Sequence, residues 1–159
     1  MLVSSEPEQQ SADVASWTKG NYTIRPLATF FIQARVLGKA HYVMGREADL
    51  SEYDLALGWH AMSDTNVISQ LHISQSNRWY HYRWDNAPPI PPEQIISSSA
   101  NMHMIAGSRE VERMLASVAE GNVVALSGYL VEVSAPDGWR WVSSLSRGDS
   151  GDHSCEVVW

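Results

Sequence analysis

The strongest structural signal in this sequence is a β-hairpin in its second half. The apolar run VVALSGYLVEV is followed by Asp137-Gly138 and then by WRWVSSL. An Asp-Gly pair between two such runs is typical of a two-residue β-turn. Gly128, in the middle of the first run, allows the sharp bend found at the corners of small barrels. The returning strand places Trp139 and Trp141 on one face. We therefore expect an antiparallel sheet.

The remaining segments mix strand and helix patterns. Phe30, Ile32, Ala34 and Val36 alternate with Phe31, Gln33 and Arg35, which predicts a half-buried strand over 29–36 that begins after Pro26. SEYDLAL resembles the start of a capped helix and predicts a helix over 52–58. Further predicted elements are a short helix after Asp64, an aromatic strand over 73–85, a helix beginning at Pro92, a strand over SSSANMHMIAG, a helix capped by Ser108 and a final strand CEVVW.

These elements predict an α+β fold dominated by antiparallel strands, with one main helix. A small, partly open barrel resembling an OB-fold is the first expectation, and a β-sandwich is the alternative. The 159 residues have the length of one domain. Residues 1–20 are polar and acidic without periodicity, which predicts a flexible arm or tether, and residues 21–159 form the expected globular domain.

Composition excludes several classes of function. The formal net charge of -7 argues against a nucleic-acid-binding surface. The single cysteine excludes a disulfide framework. No apolar run of transmembrane length and no phosphate loop or dinucleotide fingerprint is present. We therefore expect a soluble domain with no bound cofactor.

Histidine and asparagine on one predicted strand are candidate functional residues. The six histidines share no spacing typical of a metal site, so no metal is expected. On a strand, Met102 and Met104 point to one face, which favours two core methionines. Asn101 and His103 share the other face, where a functional pocket and a buried structural network are both open interpretations.

The segment from Ser143 to Glu156 is the densest polar stretch. Arg147 and Asp149 are close enough in sequence to pair, and Cys155 follows. A thiol with a nearby histidine is a possible nucleophile and base. A lone cysteine at the start of a strand is more often a small buried hydrophobe.

Arg78, beside Trp79, is a further candidate binding residue. Its guanidinium can present a fork to a carboxylate or phosphate, and an ion pair with one of the protein's own acids is the structural alternative.

Several motifs together resemble a family of uncharacterised bacterial proteins. They are ARVLG, DLALGW with MSD, ISQSNRWY with YRW, SANMH, LSGYLVEV with GWRW, and SSLSR through DSG to CE, and they span residues 20–159. The motif positions are Trp59, Asp64, Ser74, Ser76, Arg78, Asn101, His103, Ser144, Arg147, Asp149, Cys155 and Glu156. The resemblance implies an N-terminal membrane anchor upstream of this chain and a location at the periplasmic face of the inner membrane.

We therefore expect a non-catalytic cell-envelope module that binds a protein, peptide or glycan. The candidate binding residues are Arg78, Trp79, Trp84, Asn101, Trp139, Trp141 and Arg147. The alternative is a small hydrolase or transferase with Cys155 as nucleophile, His103 as base and Asp149 as orienting acid. Single-stranded nucleic-acid binding is opposed by the charge.

Overall fold

The computed structural model describes residues 1–148 and 155–159. The strands are β1 (Glu8–Ser11), β2 (Trp17–Lys19), β3 (Tyr22–His41), β4 (Tyr53–Gly58), β5 (His72–Ser76), β6 (Trp79–Arg83), β7 (Ser99–Met104), β8 (Val123–Ser134), β9 (Arg140–Val142) and β10 (Glu156–Val158). The helices are α1 (Arg46–Leu50), α2 (Thr65–Ile68), α3 (Pro92–Ser97) and α4 (Arg109–Ser117), with one 3₁₀ turn at His60–Ser63.

Five strands form a ring-like sheet. The long strand β3 pairs with β4 through residues 35–41 and with β8 through residues 23–35. The order β3-β4-β7-β10-β8 therefore returns to β3. β10 runs parallel to β7, and the other pairs are antiparallel. The expected α+β class with mainly antiparallel strands is confirmed, and the ring is OB-like.

Alternation along the strands divides the ring into an inner and an outer face. Phe30, Ile32 and Ala34 are buried in the main core, and the intervening Phe31 and Gln33 are exposed. The expected period-two strand is confirmed and extends over 20 residues. Leu55, Leu57, Met102 and Met104 join the same core, as does Leu115 of α4. The methionines are therefore core residues, as their spacing predicts.

A second layer covers part of the outer face. β5 and β6 form a separate hairpin, in which Asn77 and Arg78 make the turn with positive φ. The sequence predicts one strand here, and the turn divides it into two. Ile73, Tyr80 and Tyr82 pack on an outer cluster of buried residues that includes Leu37, Ala56, Met62, Leu71 and Ile95.

The helix predicted over 52–58 is wrong, because these residues form β4. Leu55 and Leu57 enter the inner core, and Ala56 packs in the outer cluster. A strand that is buried on both faces carries small and apolar residues at successive positions. It therefore lacks the polar–apolar alternation by which a strand is recognised in a sequence. Pro26 also differs from expectation: it lies inside β3, at a bulge opposite Val131, where one missing N–H is tolerated.

The first twenty residues contribute to the sheet, which differs from the flexible arm predicted from their polarity. β1 and β2 both pair with β3. Val3 is buried, and its N–H donates to Ser63 Oγ at 2.9 Å. β1 and β2 join β3 through backbone hydrogen bonds, which do not require an apolar period in the sequence. The prediction of a flexible arm, which was based on the polarity of these residues, therefore missed these contacts. The tether role stays a prediction.

Candidate functional site

A buried carboxylate lies at the centre of the outer face. Asp54 of β4 and His103 of β7 stand directly opposite each other in the antiparallel pair. Asp54 is fully buried, and its Oδ1 lies 2.9 Å from His103 Nδ1. Asn101 Nδ2 donates to Asp54 Oδ2 at 3.1 Å. A carboxylate oxygen only accepts, so Nδ1 of His103 carries the hydrogen. Asn101 and His103 therefore share a face, as the sequence predicts, and one buried acid joins them.

Arg78 completes this polar cluster from the turn of the β5–β6 hairpin. Its Nη1 lies 2.6 Å from Asp54 Oδ1, and its Nη2 donates to Ser51 O at 2.6 Å. Its backbone N–H donates to the Tyr42 hydroxyl, whose ring lies 4.2 Å from the guanidinium carbon. Its own carbonyl accepts from Asn101 Nδ2. The ion pair with an internal acid, one of the two interpretations of Arg78, is the observed one.

Gln75 is a further attachment of the hairpin to the barrel. Its Nε2 donates to Asn101 Oδ1 at 2.8 Å. Gly38 of β3 makes room for this side chain, because a Cβ at Gly38 would lie 2.6 Å from Gln75 Oε1. The absence of a side chain at Gly38 therefore brings the amide within reach of the polar cluster.

An aromatic surface adjoins His103. The Trp141 ring lies 4.9 Å from the His103 ring, and Trp139 lies 6.1 Å from Trp141 and 5.8 Å from Tyr22. The Arg46 guanidinium lies 5.2 Å from the Trp139 ring. We call Tyr22, Arg46, Trp139 and Trp141 the tryptophan face. Trp139 and Trp141 are half-buried, so each ring is held by neighbours and also meets solvent.

The charge on the tryptophan face is paired. Arg46 Nη2 lies 2.6 Å from Asp137 Oδ2 in the turn before Trp139. This hydrogen bond lowers the pKa of Asp137 and raises the pKa of Arg46. Arg140 of β9, between Trp139 and Trp141 in sequence, pairs with Glu132 of β8, which also pairs with Arg25 of β3. The predicted hairpin is present, but its loop has three residues instead of two: Gly138 donates to Ala135 O, so Pro136 and Asp137 are the central residues of the turn, and Gly138 follows them with a φ of 92°.

Arg147 lies in a different environment from the other candidates. Its Nε lies 2.9 Å from Oε1 of Glu156, and its guanidinium lies 5.3 Å from the Phe30 ring. Glu156 pairs in register with Met102, so both side chains point to the inner face. Arg147 therefore makes an ion pair at the barrel interior and is not part of the tryptophan face.

The other sequence candidates are dispersed. Trp79 is exposed on β6, and Trp84, just after β6, packs on the outer cluster. Cys155 is half-buried, and its carbonyl accepts from Ser144 N–H. The proposed orienting acid Asp149 lies outside the described residues. Asp54 is the acid that contacts His103, and the sequence missed it because its segment was assigned to a helix.

No protein-family model, curated protein or solved structure matches this chain. Among residues 1–148 and 155–159, no group of three or more His, Cys, Asp or Glu side chains is arranged to hold a metal ion. No helix in the same ranges is long and apolar enough to cross a bilayer.

Proposed function

We propose that this domain is a non-catalytic binding module whose ligand lies on the tryptophan face. The observation that carries the proposal is the continuous ring contact from Tyr22 through Trp139 and Trp141 to His103. Half-exposed tryptophans that are already held in place lose little entropy when they contact a ligand. Such rings supply large contact areas at recognition surfaces.

The position of this face in the barrel supports the same function. Barrels of the OB type bind oligonucleotides and oligosaccharides on the face of their second and third strands and on the adjoining loops. In this ring those strands are β4 and β7, whose Asp54, Asn101 and His103 are buried, with His103 in contact with Trp141 of the tryptophan face. Arg46 follows β3, and Trp141 follows β8, so both adjoining segments contribute. This support is an analogy of fold.

The proposed setting is the bacterial cell envelope, with a protein, peptide or glycan as partner and no nucleic acid. The net charge of -7 opposes binding to a polyanion. The resemblance of the sequence motifs supports the anchored, periplasmic location. Neither point depends on the geometry of the tryptophan face.

Replacement of single tryptophans tests the proposal. Tryptophan fluorescence and calorimetric titrations with neutral oligosaccharides and short peptides would measure binding to Trp139→Ala, Trp141→Ala and the wild type. We expect at least tenfold weaker binding in both variants, which is about 1.4 kcal/mol. Trp79→Ala is the matched control, because Trp79 is exposed on the hairpin outside this face. Equal affinity in all four proteins would overturn the proposal.

A small hydrolase or transferase is the second candidate, and the Asp54–His103 contact favours it. A carboxylate at Nδ1 orients a histidine and leaves Nε2 available as a base. In this alternative Asp54 takes the orienting role first given to Asp149, and Cys155 remains the nucleophile. Fast alkylation of Cys155 by iodoacetamide at neutral pH, slowed in His103→Asn, would favour the enzyme. Slow alkylation unaffected by that substitution would reject it.

A further inference from the structure

Two arginines share one acid on the exposed side of the sheet formed by β3, β8 and β9. Neighbouring residues of a strand point to opposite faces, so β9 presents Trp141 to the tryptophan face and Arg140 to the other side. Arg25 of β3 stands directly opposite Glu132 of β8. Its Nε donates to Glu132 Oε2 at 2.8 Å, and Arg140 Nη2 pairs with Oε1. Both guanidiniums therefore lie beside one carboxylate.

One carboxylate balances only one of the two cations. The Glu132 side chain is 6 % exposed, whereas those of Arg25 and Arg140 are 57 % and 62 % exposed. The arginines thus cover the acid and keep most of their own surface in solvent. In the part of the chain that the structure describes, neither arginine pairs with another acid, and Nη1 of each makes no hydrogen bond. The three side chains together carry one net positive charge.

A row of hydroxyl groups lies next to the arginines. It crosses four strands in register and consists of Thr18 of β2, Thr23 of β3, Ser134 of β8 and, at its end, Arg140 of β9. Thr23 stands two residues before Arg25 on β3, so the row and both arginines share one side of the sheet. Within residues 1–148 and 155–159, none of the three hydroxyls makes a hydrogen bond. Each is therefore available as a donor to a ligand oxygen. We call Thr18, Thr23, Arg25, Ser134 and Arg140 the arginine row.

The dimensions of the arginine row suit an extended peptide. Its four strands are three strand spacings across, roughly 14 Å at about 4.8 Å each, which about four residues of extended chain cover. An exposed ion pair contributes little by itself, so a ligand has to make several contacts along the row. Val142, which pairs in register with Glu132, is also exposed and offers an apolar contact.

The charge of the arginine row favours carboxylates. Guanidinium forks bind carboxylates, as the two pairs with Glu132 already show. A carboxylate carries one negative charge and matches the single net positive charge, whereas a phosphate monoester carries nearly two. The net charge of -7 opposes an acidic ligand only weakly, because at about 0.1 M salt the Debye length of about 10 Å screens distant acids.

We infer that the arginine row binds an extended acidic peptide segment of a partner protein, with Arg25 and Arg140 pairing with its carboxylates. This surface lies on the opposite side of β9 from Trp141, so the inference goes beyond the proposed function and is independent of the ligand of the tryptophan face. Glu132 is a positioning residue, because it holds both guanidiniums beside the row and limits their net charge.

Substitutions that remove one charge test this inference. Arg25→Gln and Arg140→Gln each leave Glu132 paired with the other arginine, so both variants should fold, which thermal melting verifies. Arg83→Gln removes the same charge at an exposed position of the β5–β6 hairpin and is the matched control. The probe is a fluorescein-labelled, capped pentapeptide in which glutamate alternates with threonine. The comparison peptide has glutamine in place of glutamate. Fluorescence anisotropy in about 0.1 M NaCl measures affinity.

We expect the acidic peptide to bind the wild type at least tenfold more tightly than the glutamine peptide. Its affinity should fall by roughly threefold or more in Arg25→Gln and in Arg140→Gln, as the loss of an exposed ion pair predicts. It should stay unchanged in Arg83→Gln and in Trp141→Ala. Glu132→Gln should bind the acidic peptide more tightly than the wild type, because loss of the acid adds a second net positive charge. A purely structural role of Glu132 would not produce that gain.

Four results would overturn the inference and leave the proposed function intact. The first is no binding of the acidic peptide, or equal affinity in wild type, Arg25→Gln and Arg140→Gln. The second is peptide binding that is lost in Trp141→Ala, which would place the peptide on the tryptophan face. The third is binding of inorganic phosphate, but not of the peptide, with the same dependence on both arginines. The fourth is self-association in sedimentation that is lost in Arg140→Gln, which would assign the row to a second copy of the chain.

A measurement on the wild type keeps the inference testable if the variants do not fold. The ¹H–¹⁵N resonances of arginine Nε report contacts at each guanidinium. We expect those of Arg25 and Arg140 to shift on saturation with the acidic peptide, while that of Arg83 stays in place. Unchanged Arg25 and Arg140 resonances on saturation would contradict the contact.

Discussion

Arg78 Nη1 lies 2.6 Å from Asp54 Oδ1, and this contact joins the turn of the β5–β6 hairpin to the wall of the barrel. The two residues are far apart in sequence, and Asp54 is fully buried. Arg78 adopts a φ of 68°, which is uncommon for a residue with a side chain. The bonds of its guanidinium and of its backbone hold that conformation. One acid of β4 is therefore among the groups that hold the hairpin on the barrel.

Asp54→Asn should destabilise the fold by about 3 kcal/mol or more. The substitution keeps the size of the side chain but leaves the mostly buried Arg78 cation without its partner. Urea unfolding followed by fluorescence measures the change. Asp137→Asn, which breaks the exposed Arg46 pair, is the matched control and should leave the midpoint unchanged. Equal midpoints for Asp54→Asn and wild type would contradict a stabilising role for the carboxylate.

Arg78→Lys should loosen the hairpin without unfolding the barrel. Lysine keeps the charge, but its single ammonium cannot bond Asp54 and Ser51 in the forked geometry of a guanidinium. Hydrogen exchange should accelerate at the amides of β5 and β6 and stay unchanged in β3 and β8. Arg83→Lys, at an exposed position of the same hairpin, is the control. Uniform acceleration over the whole sheet would show that Arg78 stabilises the entire fold instead.

Gly128→Ala should destabilise the ring by about 1–3 kcal/mol. A Cβ at Gly128 would lie 1.8 Å from the carbonyl oxygen of Trp159, and that backbone pairs with Tyr129 through both of its polar groups. The strands would have to separate to make room. Gly148→Ala is the control, since its Cβ would meet only Ser146 Oγ at 4.0 Å. Thermal melts of both variants and the wild type measure the change in stability. A melting temperature of Gly128→Ala equal to that of the wild type would contradict the close approach of the two strands at Gly128.

Tyr80 should make the protein less stable at alkaline pH. Burial raises the pKa of its hydroxyl well above the ordinary value near 10, and the hydroxyl donates to Ser99 Oγ. The folded state thus keeps the proton that the unfolded chain loses, so this contribution is complete below about pH 10 and falls as the pH rises further.

Urea midpoints at pH 8 and at pH 10.5 test this dependence. Tyr80→Phe removes the titrating group, so its midpoint should fall less between the two values than that of the wild type. Tyr82→Phe is a useful comparison, because burial also raises the pKa of Tyr82. An identical fall in Tyr80→Phe and wild type would show that other groups cause the alkaline loss.

The sequence was sufficient for some parts of this site and insufficient for others. Period two on β7 correctly placed Asn101 and His103 on one face, because alternation holds for any strand. The same rule failed for β4, where burial on both faces removes the polar positions that would show the period. Asp54 was consequently missed.

The features of the site that the sequence did not predict depend on contacts between residues far apart in the chain. Arg78 lies in a turn and its partner Asp54 lies on β4, and no local sequence pattern relates the two positions. The hairpin at Asp137-Gly138 was predictable, since turn chemistry is local, and it brought Trp139 and Trp141 to one side. Their proximity to His103 depends on the order of the strands in the ring, which the pattern of one sequence does not specify.

The closure of the ring by β3 and β8 also determines when the chain can fold. Ile32 pairs with Leu126, and every element of the hairpin layer is translated between the two strands. During synthesis β3 therefore leaves the ribosome long before β8 exists, although β1 and β2 precede it and β4 follows it closely. Contacts of such separation slow folding and leave strand edges open to wrong pairing. The edge of β3 that pairs with β8 is therefore open to wrong pairing until residues 123–134 are made.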